Sequence, residues 1–166
     1  WLDKLPPAEG GGEMIEHVRF EKTTYNVLPY KFEAGTPNYV GSYTFGKAIE
    51  YMQSVGLESI ASHEHEMTLY LEAQLKALPN VRGYAAGLRK AGAVSFNVYR
   101  GDGVLVHPFD VGVLLDRQGV AVRTGHHCAE PLIEYLQVPG TVRASVALYN
   151  SKEDIDAFVA ALKKAI

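Results

Sequence analysis

The sequence predicts an α+β fold in which helices cover one face of a small, mainly antiparallel sheet. Three observations predict it. Ala93–Tyr99 and Thr141–Tyr149 alternate apolar and polar residues with a period of two, as half-buried strands do. Three longer stretches repeat apolar residues with helical spacing. Glycine and proline punctuate the intervals between these segments.

Taken in order, Phe45, Ala48, Ile49 and Met52 fall at i, i+3, i+4 and i+7, and Gly56 interrupts this first amphipathic helix. In the second, Ile60, Met67, Leu71, Leu75 and Leu78 share one face, and Pro79-Asn80 ends the pattern. The first strand places Val94, Phe96 and Val98 on one face and Ser95, Asn97 and Tyr99 on the other. Pro108 suits the first turn of a helix carrying Val111, Leu114 and Leu115, which Gly119 stops. Val120–Arg123 reads as a short strand. In Thr141–Tyr149, Val142, Ala144, Val146 and Leu148 take one face, so Arg143 projects from the opposite one. Ser151 and Asp154 form an acidic variant of the capping box, and Ile155, Phe158, Val159, Leu162 and Ile166 continue as a final helix.

Residues 1–42 differ in character. Gly10-Gly11-Gly12, Pro29 and Gly35-Thr36-Pro37 break them up, and no helical period is sustained. A short extended piece around His17–Phe20 fits the pattern. The arm has too few apolar partners to make its own core, and is expected to lie on another surface. The division expected is thus an extended arm, 1–42, and a compact domain, 43–166.

The 166 residues are 47% hydrophobic and 21% charged, the composition of an ordinary globular domain. Sixteen basic and nineteen acidic side chains leave a net charge of −3, which gives no electrostatic argument for nucleic acid or an anionic membrane. A single cysteine excludes a disulfide framework and suits a reducing, cytoplasmic setting. No apolar run is long enough to span a bilayer. The start at Trp1, with neither initiator methionine nor signal peptide, points to a processed, tagged or truncated product.

The chemistry concentrates in Arg123-Thr124-Gly125-His126-His127-Cys128-Ala129. A thiol reacts as its thiolate, which nearby positive charge favours, so Cys128 is a candidate nucleophile. The other reading is a buried structural thiol, common for free cysteine. Arg143 divides similarly between bidentate recognition of a carboxylate and a structural ion pair. Metal readings fare worse. His63 and His65 point about 200° apart on a helix, and His126, His127 and Cys128 lack a second ligand pair, so no metal site is expected. Gly10-Gly11-Gly12 lacks the following Lys-Ser/Thr of a phosphate loop.

Several blocks together resemble one family. Arg123–Ala129 followed by Pro131-Leu132, Val142–Asn150, Phe32–Asn38, and Pro6-Pro7 before Gly10–Ile15 resemble the C-terminal part of SufS-type cysteine desulfurases and the related selenocysteine lyases. These are class-V aminotransferase relatives among the fold-type I pyridoxal-phosphate enzymes. The short Arg-Thr-Gly-His-His-Cys loop is similar to the SufS group rather than the NifS/IscS group, whose cysteine lies in a longer, Ser-rich loop. Ala8 departs from the family, which often has tryptophan there.

The resemblance implies a small C-terminal domain of the fold-type I transferases, and it implies roles. Cys128 matches the nucleophile that takes sulfur from L-cysteine as a persulfide and leaves alanine. Arg143 matches the substrate-carboxylate arginine, and Arg123 a second arginine near the substrate. Thr36 matches a threonine that reaches the phosphate of the partner subunit's cofactor. His126 and His127 match loop residues to which no role is assigned. It also implies a homodimer, iron–sulfur cluster assembly as destination, and a SufE- or SufU-like acceptor. The family's Schiff-base lysine lies upstream of these blocks, so this chain alone is expected to be inactive and to bind no cofactor. Two other readings stay open, a non-catalytic sulfur-acceptor or partner-binding module and a structural oligomerisation domain. Separated from a cofactor-bearing domain, the Ile60–Leu78 helix and the arm are expected to expose apolar surface.

Overall fold

The computed structural model describes residues 1–165, which leaves the expected terminal helical residue Ile166 outside it. The chain divides into two compact units, Trp1–Ser54 and a second from Val55 onward.

In the first unit β1 (Ile15–Val18) pairs antiparallel with β2 (Thr23–Tyr25), Val18 opposite Thr23 and Ile15 opposite Tyr25. The extended piece expected at His17–Phe20 is therefore one strand of a hairpin that ends earlier. Arg19 N–H donates to the Lys22 carbonyl, which turns the chain and leaves Phe20 fully exposed. Met14 is buried, and its carbonyl accepts from Asn26 N–H. The helix α1 (Tyr39–Val55) begins before Tyr43 because the Asn38 side-chain oxygen accepts from Gly41 N–H at 2.9 Å, a cap that periodicity alone does not reveal. None of its residues is buried.

The second unit holds a four-stranded antiparallel sheet of β3 (Val81–Gly83), β4 (Ala93–Val98), β5 (Arg123–Gly125) and β6 (Thr141–Ser145), in spatial order β3-β4-β6-β5. The helices are α2 (Leu57–Lys76), α3 (Pro108–Asp116), α4 (Glu130–Leu136) and α5 (Lys152–Ala165). The α+β class with a small antiparallel sheet is the one the sequence predicts. Apolar residues of α2, α3 and α5, among them Met67, Leu71, Leu75, Val111, Leu115, Ile155 and Leu162, join Val94, Phe96, Val98, Val142 and Ala144 of the sheet in one core. Phe96 and Phe158 meet edge to face with ring centres 6.0 Å apart. Ser151 and Asp154 cap α5 reciprocally: Ser151 N–H donates to the Asp154 carboxylate at 2.9 Å and Asp154 N–H to the Ser151 hydroxyl at 3.4 Å.

Several expectations need correction. Ile60, Met67, Leu71, Leu75 and Leu78 are buried, so the second helix does not expose its apolar face; the arm does expose apolar residues, among them Leu5, Val18, Phe20 and Val27, and α1 exposes Tyr43, Phe45 and Ile49 as well. The strand expected at Val120–Arg123 starts only at Arg123. Past Ser145, Val146 N–H donates to the Gly92 carbonyl at 2.7 Å, and Val120–Val122 lie outside the ladder of β5 and β6. The strand β6 stops at Ser145 rather than Tyr149 because the chain then turns: Ala147 N–H donates to the Asn150 side-chain oxygen at 2.9 Å and Asn150 N–H to the Ala147 carbonyl at 3.0 Å. The short elements β3 and α4 left no period long enough to read. Asn97, on the polar phase of β4, is fully buried: its amide donates to the Tyr84 hydroxyl and the Gly140 carbonyl, both at 3.0 Å.

Candidate active site

On β6 the pleat sends Val142 and Ala144 into the core and leaves Arg143 half-buried on the other phase. Arg143 stands in register with Arg123 of β5 on one side and Ser95 of β4 on the other. Like charges directly opposite on antiparallel strands destabilise a sheet. No salt bridge among the described residues involves either arginine. The Arg143 Nε is buried and has no hydrogen-bond partner among the described residues. Burying a guanidinium N–H without an acceptor is costly.

From β5 the chain enters the cysteine loop. Ala129 N–H donates to the His126 carbonyl at 2.9 Å, closing a turn over His127 and Cys128, whose φ angles of 54° and 57° are both left-handed. At its base Gly140 passes so close to Gly125 that a Cβ on Gly140 would lie 3.2 Å from Gly125 backbone atoms. Asn97 secures that crossing by donating to the Gly140 carbonyl. Cys128 is exposed, which rules out the buried structural thiol. His127 is half-buried, with Nε2 3.1 Å from both the carbonyl and the hydroxyl of Thr141. Burial holds its imidazole below the ordinary value of 6.5; the bond to the Thr141 backbone opposes this, and Arg143, Arg123 and His126 reinforce it.

A cleft of about 300 Å³ adjoins the loop, lined among others by Tyr84, Lys90, Ser95, His127, Ile133 and Arg143. Lys90 is held by an ion pair with Glu72 and donates to the Ala85 carbonyl at 2.7 Å, so its charge is matched within the protein. That leaves Arg143 as the unmatched cation of the cleft lining. His126 is exposed, with Nδ1 3.8 Å from a Glu130 carboxylate oxygen. Thr36 lies in the first unit, in an exposed bend before α1. His63 Nε2 is bonded to the Asn150 carbonyl at 2.8 Å, a structural tie rather than a ligand position. The sequence reading singled out neither Tyr84 nor Thr141 as a site residue. Ser95 was visible only as one polar position of the β4 alternation.

Residues 1–158 match the aminotransferase class-V family. The chain belongs to that family. Among curated proteins, this class-V chain is 45% identical over 163 residues to a probable cysteine desulfurase of Halalkalibacterium halodurans, covering 98% of this chain and 39% of that protein. Among solved structures it is similar to the cysteine desulfurase CsdA of Escherichia coli, with a TM-score of 0.81, 35% identity, and coverage of 96% of this chain and 38% of that one. It is also similar to a cysteine desulfurase of Thermococcus onnurineus, with a TM-score of 0.82, 38% identity, and coverage of 95% and 38%. The class-V chain thus spans about two-fifths of the length of these relatives.

Proposed function

We propose that this chain is the C-terminal part of a pyridoxal-phosphate-dependent cysteine desulfurase of the SufS type, and that it provides the sulfur-accepting thiol and the carboxylate anchor. The observation that carries the reading is the facing pair Arg123 and Arg143, with the buried, unpartnered Nε of Arg143, on the strands that flank the cysteine loop. Such a pair suits the carboxylate of an amino-acid substrate, so the residues present fit a cofactor that carries one. Pyridoxal phosphate, when bound, supplies the electron sink that weakens the bond between the substrate's β-carbon and its sulfur.

Arg143 grips the substrate carboxylate, Arg123 adds positive charge at the same place, and Thr36 of one subunit holds the cofactor phosphate of the other within a homodimer. The Cys128 sulfur attacks the sulfur of L-cysteine. One S–S bond forms and one C–S bond breaks, the β-carbon keeping the electron pair and taking up a proton, so that the substrate leaves as L-alanine while Cys128 becomes a persulfide. Exposure of Cys128 suits transfer of that sulfur to a SufE- or SufU-like acceptor and onward to iron–sulfur cluster assembly in the cytoplasm. The Schiff-base lysine is assigned to the remainder of the longer enzyme, so the chain by itself forms no alanine.

The test uses a chain extended to the length of its relatives and supplied with pyridoxal phosphate and L-cysteine. Alanine release together with a mass gain of one sulfur atom at Cys128, both lost in Cys128→Ala, is the expected result. Alanine release with no sulfur on Cys128, or undiminished in Cys128→Ala, overturns the reading.

A further inference from the structure

A four-residue turn with positive φ at both central positions is of the I′ kind, which glycine, asparagine and aspartate normally supply. Here the central residues are His127 and Cys128, at φ 54° and 57°. Cysteine does not favour the left-handed region, where Cβ crowds the following carbonyl, and histidine, though it visits that region more than most residues, meets the same crowding. The local sequence therefore does not select this turn, and something beyond the Ala129-to-His126 backbone bond has to hold it. The side chain of the first central residue is the one group in the turn recorded in a hydrogen bond to the sheet. His127 Nε2 lies 3.1 Å from the Thr141 carbonyl, and Thr141 is two residues from Arg143 on the same phase of β6.

We propose that His127 is a positioning residue: it donates its Nε2–H to the Thr141 carbonyl and so holds Cys128 in the left-handed conformation, tying the thiol's turn to the strand that carries Arg143. That Cys128 is the nucleophile rests on the function proposed above; the staple itself does not. A carbonyl only accepts, so the bond requires the proton on Nε2 and leaves Nδ1 bare in the neutral ring. The Thr141 hydroxyl, also 3.1 Å from Nε2, shares the same donor.

The experiment is nuclear magnetic resonance on the 166-residue chain without cofactor or substrate, which keeps it independent of the desulfurase reading. Imidazole nitrogen shifts report the tautomer of His127, and backbone couplings and carbon shifts report φ at Cys128. The expected result is protonated Nε2 in the wild-type chain and a left-handed Cys128 in both the wild type and His127→Gln, whose amide nitrogen sits the same number of bonds from Cβ. In His127→Ala the ratio of left-handed to other conformers at Cys128 drops about fivefold, as loss of one ordinary hydrogen bond dictates. Resonances of Phe96 and Leu71 stay in place in all three proteins. A wild-type ring protonated on Nδ1 with Nε2 bare, or a left-handed Cys128 undiminished in His127→Ala, overturns the proposal. Failure of the glutamine variant to restore what alanine loses overturns it too.

Discussion

Arg123 and Arg143 are direct partners across β5 and β6, two guanidinium-bearing side chains at one rung of the sheet. Their mutual repulsion is a cost the isolated chain bears without return. Replacing Arg123 by threonine, a good strand residue, is therefore expected to stabilise the isolated chain by about 0.2–1 kcal/mol, the range for a like-charge cross-strand pair relieved. Urea unfolding measures it. A less stable Arg123→Thr chain means that the pair is not strained and that each arginine is satisfied by its surroundings.

The opposite sign is expected for function. With the substrate carboxylate in place, Arg143 makes a charge-assisted contact in a partly buried setting. In the lengthened enzyme Arg143→Ala should weaken cysteine binding by about 2–5 kcal/mol, the loss typical when a buried charge pair is cut to one partner. Equilibrium binding in a Cys128→Ala background isolates that affinity from turnover. Unchanged affinity removes Arg143 from the carboxylate site.

What the sequence disclosed follows from period and length. The face of Ile60 to Leu78 and the alternation of Val94, Phe96 and Val98 were legible because each pattern repeats long enough to show a burial stripe. The strand β3 and the seven-residue α4 are too short for that, and their places are set by tertiary contacts. The position of Cys128 between two arginines and two histidines could be read directly. The pairing of Arg123 with Arg143 could not, since it depends on the register of strands some twenty residues apart. Least legible was the left-handed turn, because Cys128 is a poor residue for it and Thr141, which His127 meets, sits on another strand.

His127 also sets a pH dependence of stability. Its folded imidazole titrates below the ordinary value of 6.5, so between the two values the unfolded chain binds more protons than the folded one. Stability contributed by the neutral ring is complete above about 6.5 and falls as pH drops toward the folded value. In unfolding curves of the isolated chain, His127→Gln should flatten that part of the profile. A wild-type chain whose stability rises on acidification from pH 7 to 6 would contradict the sign. Asp154, lowered chiefly by its bond from Ser151 N–H, loses its contribution at more acidic pH, as pH falls through its folded value.

The helix α1 carries Tyr43, Phe45, Ile49 and Met52 in exposed positions, with Phe45 68% and Ile49 41% accessible one helical turn apart. Apolar residues that recur at helical spacing with no buried member form a surface awaiting a cover, and water is a poor one. At raised concentration the isolated chain is therefore expected to self-associate through this face. Sedimentation velocity over a hundredfold concentration range, roughly the span that resolves association energies of 2–3 kcal/mol, reads it out. Substituting Phe45 and Ile49 together by glutamate keeps helix propensity while placing charge on the face, so association should fall. Wild-type chain that stays monomeric throughout, or a double variant that associates as strongly, would place the driving contact elsewhere than on α1.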